Sequence, residues 1–223
     1  MVEFNKSRFS IVALSATSQD DRVISIARQC LEVLSNRGVK VLIDKSLSKL
    51  KSKDLSISSS DYLISKSKLL IAIGGDGTML NCSRNYGSRG IPILGINLGN
   101  LGFLADIDPK DITSSLLRVI DGDFSEDKRF FLEGFVLGNK EKFLALNEVV
   151  VHSGKVAQLI EFNLFIDDKF VYRQRADGLI ISSPTGSTGY SLSGGGPIVH
   201  PNVSSIILMP MLPHTLSTSP LLV

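Results

Sequence analysis

A five-residue apolar run that ends in a glycine-rich turn is the feature that most restricts the fold of this 223-residue chain. Leu69 to Ile73 has the length and composition of a buried strand, and the sequence Gly-Gly-Asp-Gly-Thr follows it directly at Gly74 to Thr78. Met79 to Asn85 can then form a helix. A strand, a glycine turn and a helix in this order are typical of a parallel sheet in an α/β domain.

Other segments in the first 120 residues repeat this alternation. Apolar residues from Val23 to Leu34 recur at helical spacing, with Gly38 as the C-terminal cap. A second amphipathic helix is predicted from Asp108 to about Ile120, with Pro109 at its first position. Further strands are predicted at Phe9 to Leu14, Val39 to Ile43 and Ile91 to Ile96.

The pattern changes after Asp121-Gly122-Asp123, where helical periodicity nearly disappears. The segments that follow are β-rich and are separated by Gly, Asn or Asp turns: 130–137, 143–151, 159–166 and 179–182. We therefore predict two domains. Residues 1–124 form an α/β domain with a Rossmann-like parallel sheet, and residues 125–223 form a mostly β domain.

The segment from Lys45 to Lys68 is rich in lysine and serine. The segment contains six Lys and only two acidic residues, Asp54 and Asp61, which leaves a local charge excess of +4. Nine of the 22 residues from 46 to 67 are Ser. This composition predicts a mobile surface loop that is partly helical around Asp61 to Ser65. The whole chain carries only +2, which is too little for a nucleic-acid or anionic-membrane binder, so we expect neither partner.

Residue usage also bears on location and metal chemistry. The apolar runs are far shorter than the roughly 18 residues that span a bilayer. Cys30 and Cys82 lack the paired spacing of a disulfide framework or a zinc site, which favours a reducing cytoplasm. His152, His200 and His214 are scattered and are interpreted as packing or loop residues. Any metal is expected to be a hard cation bound by oxygen.

The turn at Gly74 to Thr78 is the first candidate for chemistry. Glycines between a strand and a helix let backbone N–H groups approach a phosphate. Asp76 is then either a turn or capping residue, or a group that accepts a hydroxyl proton or holds Mg²⁺. Neither the P-loop sequence nor the Gly-x-Gly-x-x-Gly dinucleotide fingerprint is present.

A second glycine turn runs from Asn97 to Leu104. It follows a strand, at the edge where ligands bind in open α/β sheets. We interpret it as a structural turn that buries Leu101 and Phe103.

The segment from Arg173 to Pro201 combines many hydroxyls and small residues with one tyrosine, Tyr190. Such side chains can bind phosphate, ribose or a base edge. A flexible linker is disfavoured because apolar residues flank the segment. Ser187 lacks the Gly-x-Ser-x-Gly context of a nucleophile. Asn147 and Glu148 place an amide and a carboxylate together at a strand start.

Taken together, these motifs resemble the bacterial NAD kinases. The resemblance rests on five motifs in the family order, listed as residues 74–78, 97–104, 147–148, 175–178 and 184–197. It implies a phosphofructokinase-like first domain. It also implies that the chain is an enzyme that transfers the γ-phosphoryl group of ATP to the 2′-hydroxyl of the adenosine ribose of NAD, giving NADP.

The resemblance also implies roles for individual residues. Asp76 would be the general base, with Gly77 beside it at the substrate, and the ATP phosphates would meet Gly74, Gly75, Gly77 and Thr78. Asn147 and Glu148 would hold the dinucleotide through ribose or base contacts, and Arg175 and Asp177 would approach it from the β domain. The adenosine end would be lined by Thr188, Gly189, Tyr190, Ser191, Leu192 and Ser193.

Cofactors and partners follow from the same resemblance. Mg²⁺ or another divalent cation is expected to be held through the ATP phosphates, without a metal-binding residue set. NAD and ATP are the expected ligands, and the expected assembly is a homodimer or homotetramer.

The chain departs from the family pattern in three places. Gly189 replaces the usual Ala, and Ser183 replaces a common Thr. The chain also stops at Val223 in an apolar run, so we expect a C-terminally truncated member with an incomplete β domain. Two alternatives stay open: a non-catalytic dinucleotide-binding fragment, and a diacylglycerol-kinase-like lipid kinase whose lysine-rich segment meets a membrane.

Overall fold

The computed structural model describes residues 9–50, 57–98, 102–105, 107–155, 158–214 and 219–223. The chain divides into two compact units, Met1–Glu126 and Asp127–Val223. The first unit is an α/β domain and the second is rich in antiparallel β-structure, as the sequence predicts.

The first unit contains a five-stranded sheet with parallel pairings throughout, in the order β3-β2-β1-β4-β5. Short 3₁₀ turns lie at Lys45–Leu50, Gly87–Arg89 and Pro109–Asp111. Its elements are β1 (Ile11–Ala16), α1 (Asp21–Asn36), β2 (Lys40–Asp44), β3 (Ile57–Ser58), α2 (Ser60–Lys66), β4 (Leu69–Ile73), α3 (Asp76–Asn85), β5 (Ile93–Ile96) and α4 (Ile112–Asp121).

Helices cover both faces of this sheet, which explains the continuous apolar run of β4. Ile71 and Ile73 pack in one core cluster with residues of α1 and α4. Leu70 and Ala72 pack in a second cluster with residues of α2 and α3. Because successive strand residues point to opposite faces, a strand buried on both sides must be apolar at every position.

Capping residues fix the ends of α1. The side chain of Asp20 accepts a hydrogen bond from the Val23 N–H at 2.9 Å. At the other end, Gly38 follows the cap residue Arg37 with a φ of +69°. A left-handed residue at this position lets the chain turn sharply from the helix into β2. The predicted end of this helix is confirmed.

The lysine- and serine-rich segment is more ordered than predicted. Leu47 in the 3₁₀ turn and Leu63 in α2 are fully buried, and Ile57–Ser58 forms the edge strand β3. The prediction of a surface loop is therefore wrong for 45–50 and 57–67, while the predicted helical part is confirmed as α2. Residues 51–56 lie outside the described part of the chain.

A buried polar contact joins β2 to the end of α3. Asp44, the last residue of β2, is almost fully buried, and its carboxylate accepts hydrogen bonds from the Tyr86 hydroxyl and from the Ser46 N–H. Tyr86 directly follows α3. A buried carboxylate is stable only when donors replace its water, so Tyr86 anchors the C-terminal end of the helix that begins with Asp76.

The second unit is built from antiparallel pairs. β8, β11, β12 and β13 form a four-stranded sheet in the order β13-β12-β11-β8, and β6–β7 and β9–β10 form two hairpins. The elements are β6 (Leu132–Phe135), β7 (Lys142–Ala145), β8 (Glu148–His152), β9 (Ile160–Ile166), β10 (Lys169–Ala176), β11 (Gly178–Ser182), the short helix α5 (Tyr190–Ser193), β12 (Ile207–Met211) and β13 (Leu221–Leu222).

Across the described residues, no helix has both the length and the apolar character that a bilayer crossing requires.

Removing the Tyr86 hydroxyl tests the anchoring contact. Tyr86→Phe leaves the buried Asp44 carboxylate without one donor, so the free energy of unfolding in urea should fall by about 1–3 kcal/mol. Burial raises the pKa of Tyr86 to about 12 from 10.0. Because the folded-state pKa is raised, Tyr86 gives the wild type a contribution to stability that is complete below pH 10 and is lost as the pH rises towards 12. Tyr86→Phe lacks this titration, so its free energy of unfolding should fall less than that of the wild type between pH 10 and pH 12. The exposed Tyr62→Phe is the matched control, and equal effects of both variants would contradict the role of the contact.

Candidate active site

Two backbone N–H groups fix the carboxylate of Asp76. Asp76 is the first residue of α3, after the cap residue Gly75. Its Oδ2 accepts a hydrogen bond from the Phe103 N–H at 3.0 Å, and its Oδ1 accepts one from the Leu104 N–H at 3.1 Å. Each carboxylate oxygen has a further lone pair. The half-buried carboxylate can therefore accept a proton or a hydrogen bond from a ligand.

The second glycine turn packs directly against this carboxylate. A Cβ atom added at Gly102 would lie 2.2 Å from Asp76 Oδ1 and 2.7 Å from Asp76 Cγ, so only glycine leaves room. Phe103 is 71% exposed. The prediction that this turn buries Phe103 is wrong, because the hydrogen bonds to Asp76 use the Phe103 backbone and leave its ring in solvent. Residues 99–101, including Leu101, lie outside the described chain.

The first glycine turn packs tightly against its own helix. A Cβ atom at Gly74 would lie 2.1 Å from Thr78 Oγ1. Thr78 is buried, and its hydroxyl lies 2.6 Å from the Thr17 hydroxyl. The Thr78 hydroxyl therefore links the turn to Thr17, the residue that follows β1. The first N–H groups of a helix lack internal partners and favour an anion, so phosphate binding at Gly74, Gly75, Gly77 and Thr78 stays a prediction for the backbone of this turn.

In the second unit, Asn147 and Glu148 lie at the start of β8, against the loop that contains Gly189. The Ser183 N–H donates to the Asn147 carbonyl oxygen at 2.8 Å. A Cβ atom at Gly189 would lie 3.2 Å from Glu148 Oε2 and 3.4 Å from Asn147 Nδ2. Both side chains therefore lie close to Gly189. An Ala there, as the family pattern has, would fit only with small shifts of Glu148 and of the Gly186 carbonyl oxygen, which also lies 3.2 Å away.

Asn147 and Glu148 each present a buried oxygen without a donor. Asn147 Oδ1 and Glu148 Oε2 have no hydrogen-bond partner among the residues that the structure describes. Burial raises the pKa of Glu148, although a hydrogen bond from the Tyr190 N–H acts in the opposite direction. Unpaired buried acceptors cost free energy until a donor arrives. This pair is suited to a ligand that carries hydroxyl or amino donors.

A pocket of about 410 Å³ opens beside these residues in the second unit, and we call it the β8 pocket. It includes Asp177 and Tyr190, two residues that sequence reasoning assigned to the site, and five that it did not assign. The lining residues are Val150, His152, Lys155, Gln158, Asp177, Tyr190 and Met211. The sequence indicates a packing or loop residue at His152, and only its position on the strand that begins with Glu148 could have indicated the pocket.

The remaining assigned residues occupy different environments. Arg175 is exposed on β10, and its carbonyl oxygen accepts the His214 N–H. Ser191 has no exposed surface, and a Cβ atom added at Gly196 would lie 2.4 Å from its Oγ. The other three lie at or near the surface: Thr188, Leu192 and Ser193. Their contacts with a ligand stay predictions.

Ser187 has a structural role. Its fully buried hydroxyl donates to the Pro184 carbonyl oxygen at 2.7 Å and accepts the Val199 N–H at 3.0 Å. It therefore ties the hydroxyl-rich loop to the segment that follows it. Its hydrogen bonds and burial leave no access for a substrate.

Within the described ranges, no three or more His, Cys, Asp or Glu side chains come together in a way that could hold a metal ion.

Comparison with known proteins places these features in a family. Residues 11–124 match the family model of the ATP-NAD kinase N-terminal domain, and residues 146–223 match that of the ATP-NAD kinase C-terminal domain. Both models describe parts of a kinase and occur in the family order, so the chain is a phosphoryl-transferring enzyme. It belongs to the ATP-NAD kinase family.

Individual relatives agree with this assignment. The chain is 48% identical over 200 residues to the NAD kinase of Teredinibacter turnerae, covering 88% of this chain and 68% of that protein. It is 41% identical over 221 residues to the NAD kinase of Saccharophagus degradans, covering 97% of this chain and 75% of that protein.

Solved structures of related kinases share the fold. The crystal structure of yeast NADH kinase complexed with NADH superimposes with a TM-score of 0.87 at 29% identity, covering 96% of this chain and 69% of that one. An NAD kinase from Archaeoglobus fulgidus in complex with ATP gives a TM-score of 0.76 at 30% identity, covering 96% of this chain and 76% of that one.

Neutralising Glu148 tests the electrostatics of the second unit. The folded-state pKa of Glu148 is raised above its ordinary 4.5. Its contribution to stability is therefore complete below pH 4.5 and is lost as the pH rises through the folded-state value. Glu148→Gln should raise the melting temperature of the ligand-free chain at pH 7, and the difference should vanish at pH 4. The exposed Glu141→Gln serves as the control. A Glu148→Gln variant that melts lower than the wild type at pH 7 would contradict the assignment.

Proposed function

We propose that this chain transfers the γ-phosphoryl group of ATP to the 2′-hydroxyl of the adenosine ribose of NAD, with Asp76 as the general base. The observation that supports the role of Asp76 is its geometry. The carboxylate is half-buried, fixed by the N–H groups of Phe103 and Leu104, and still has lone pairs for a hydroxyl proton.

The proposed reaction needs little covalent work from the protein. The 2′-oxygen forms a bond to the γ-phosphorus while the bond from that phosphorus to the oxygen of ADP breaks, and the hydroxyl proton moves to Asp76. Fixing the carboxylate that accepts the proton in advance removes the entropy cost of orienting it at the moment of reaction. The two N–H donors and the close approach of Gly102 provide this fixation.

Recognition of the dinucleotide is assigned to the second unit. The unpaired oxygens of Asn147 and Glu148 are acceptors, and the ribose hydroxyls and the adenine amino group of NAD are donors that match them. Tyr190 and Asp177 line the adjacent β8 pocket. The related yeast kinase was crystallised with NADH and the Archaeoglobus kinase with ATP, which supports these two ligand classes for this chain.

Mg²⁺ or another divalent cation is part of the proposal, and its chemistry is to neutralise charge on the ATP phosphates. Throughout the described residues no cluster of three potential ligands is present, so a cation would bind mainly through phosphate oxygens. Asp76 has carboxylate lone pairs that fit such a hard cation as a single additional ligand.

Assembly and location complete the proposal. A homodimer or homotetramer is supported by Phe165 and Phe170, which pack edge to face on the β9–β10 hairpin yet are 56% and 60% exposed. A cytoplasmic location is supported by Cys30 and Cys82, which are both free and buried.

Replacing the base tests the proposal directly. Asp76→Asn should lower kcat for NADP formation by roughly 10²–10⁴-fold, the usual contribution of a general base. The dissociation constant for NAD, measured by calorimetry, should change far less. The matched control is Asp61→Asn on the exposed side of α2, which should keep the wild-type rate. Equal losses of NAD affinity and rate would contradict the base role, and NAD binding by a wild-type chain without turnover would favour a non-catalytic module.

Gly102 offers an independent test because it leaves the base chemically intact. In Gly102→Ala the new methyl group would lie 2.2 Å from Asp76 Oδ1, so the carboxylate must move and kcat should fall by at least about tenfold. If Gly102 acts only by placing Asp76, the double variant Asp76→Asn, Gly102→Ala should be no slower than Asp76→Asn alone. Fully additive losses in this cycle would show that Gly102 acts in another way.

A further inference from the structure

We propose that Lys155 binds the pyrophosphate of the dinucleotide in the β8 pocket. This inference rests on the proposed function, since it assigns a subsite to the dinucleotide. The pocket is large enough, at about 410 Å³, for part of such a ligand, and Lys155 lines it together with Asp177 and Tyr190.

The charges of the pocket require a cation for this ligand. Asp177 contributes a carboxylate, and a pyrophosphate brings two further negative charges, so the three would repel one another. Lys155 is the sole lysine or arginine among the described lining residues. No acidic side chain lies within ion-pair distance of the Lys155 ammonium in the described part of the chain. Its charge is therefore available to a ligand.

The turn that carries Lys155 is held by its own side chains. The Lys155 N–H donates to Ser153 Oγ at 3.2 Å, and Ser153 Oγ donates to the Lys155 carbonyl oxygen at 2.9 Å. The Gly154 N–H donates to His152 Nδ1 at 3.0 Å, and Gly154 has a φ of +74°. These bonds fix the backbone of the turn at the pocket, while the long side chain of Lys155 can follow the ligand.

The position along β8 also suits a pyrophosphate. Glu148 begins this strand and His152 ends it, so the two Cα atoms are about 13 Å apart at the usual rise per residue. Glu148 is assigned to the ribose or base of the adenosine. Lys155 lies just beyond the far end of the strand and lines the same pocket, so its ammonium is placed for the phosphates that follow the adenosine in the ligand.

The test compares NAD and NADH, which share the pyrophosphate and differ in the charge of the nicotinamide ring. Dissociation constants are measured by calorimetry for the wild type, Lys155→Met, Lys155→Arg and the exposed control Lys169→Met. Lys155→Met should weaken both ligands equally, by about five- to tenfold. Lys155→Arg should restore most of the affinity, and Lys169→Met should match the wild type.

Salt provides a second readout that a purely structural role would not change. Wild-type affinity should fall as KCl is raised, and the fall should be smaller in Lys155→Met because one ion pair is absent. Unchanged affinity in Lys155→Met would overturn the inference. A change confined to NAD would also overturn it, because the ammonium would then face the nicotinamide ring. Lys155-dependent binding of both ligands by a wild-type chain that makes no NADP would leave the subsite intact and reject the kinase proposal.

Discussion

The hydrogen bonds from Phe103 and Leu104 to the carboxylate of Asp76 are the contact on which the first unit's site depends. They join two turns at the carboxyl edge of the parallel sheet, one after β4 and one after β5. Each turn needs a glycine for a steric reason: Gly74 allows Thr78 to close on the strand end, and Gly102 leaves space for the Asp76 carboxylate. The two glycine turns are therefore joined by hydrogen bonds, and the second turn holds the Asp76 carboxylate in place.

The second unit follows a different principle. Its site residues are held by backbone contacts, and the side chains of Asn147 and Glu148 are left with buried oxygens that lack donors. Folded proteins rarely leave such groups unpaired, because each costs about 1–3 kcal/mol. The raised pKa of Glu148 has the same origin, since burial removes the water that would otherwise stabilise its charge. A ligand with hydroxyl donors would relieve both costs, which couples ligand binding to the stability of this unit.

Much of the fold could be predicted because it follows from local patterns. The five apolar residues of β4, the spacing of α1 and the position of Gly38 identify elements whose form depends on nearby residues. The ordered segment around Leu47 and Leu63 could not be predicted, because its serines and lysines conceal two leucines that are buried only through tertiary packing. The strand β10 was also hidden, since its exposed face carries charged residues.

The site was predictable to a similar degree. Motifs indicated Asp76, Asn147 and Glu148 as candidates, because polar side chains stand there at a glycine turn and at the start of a strand. The partner of Asp76 could not be found in this way, since Phe103 lies 27 residues further along the chain and contributes only its backbone. Lys155 was equally hidden, because a lone lysine in a Gly-containing turn is typical of any surface loop. Contacts made by backbone atoms, or by residues common at surfaces, leave no signal in composition or spacing.

In the proposed reaction, the phosphoryl group goes to one particular hydroxyl, the 2′-hydroxyl of the adenosine ribose. The most direct measurement incubates the chain with NAD, Mg²⁺ and ATP labelled in the γ-phosphoryl group, and locates the label in the product by ³¹P NMR and mass spectrometry. We expect one labelled phosphate per product molecule, attached to the 2′-oxygen of the adenosine ribose. Label found only in inorganic phosphate, or on another hydroxyl of the dinucleotide, would contradict it.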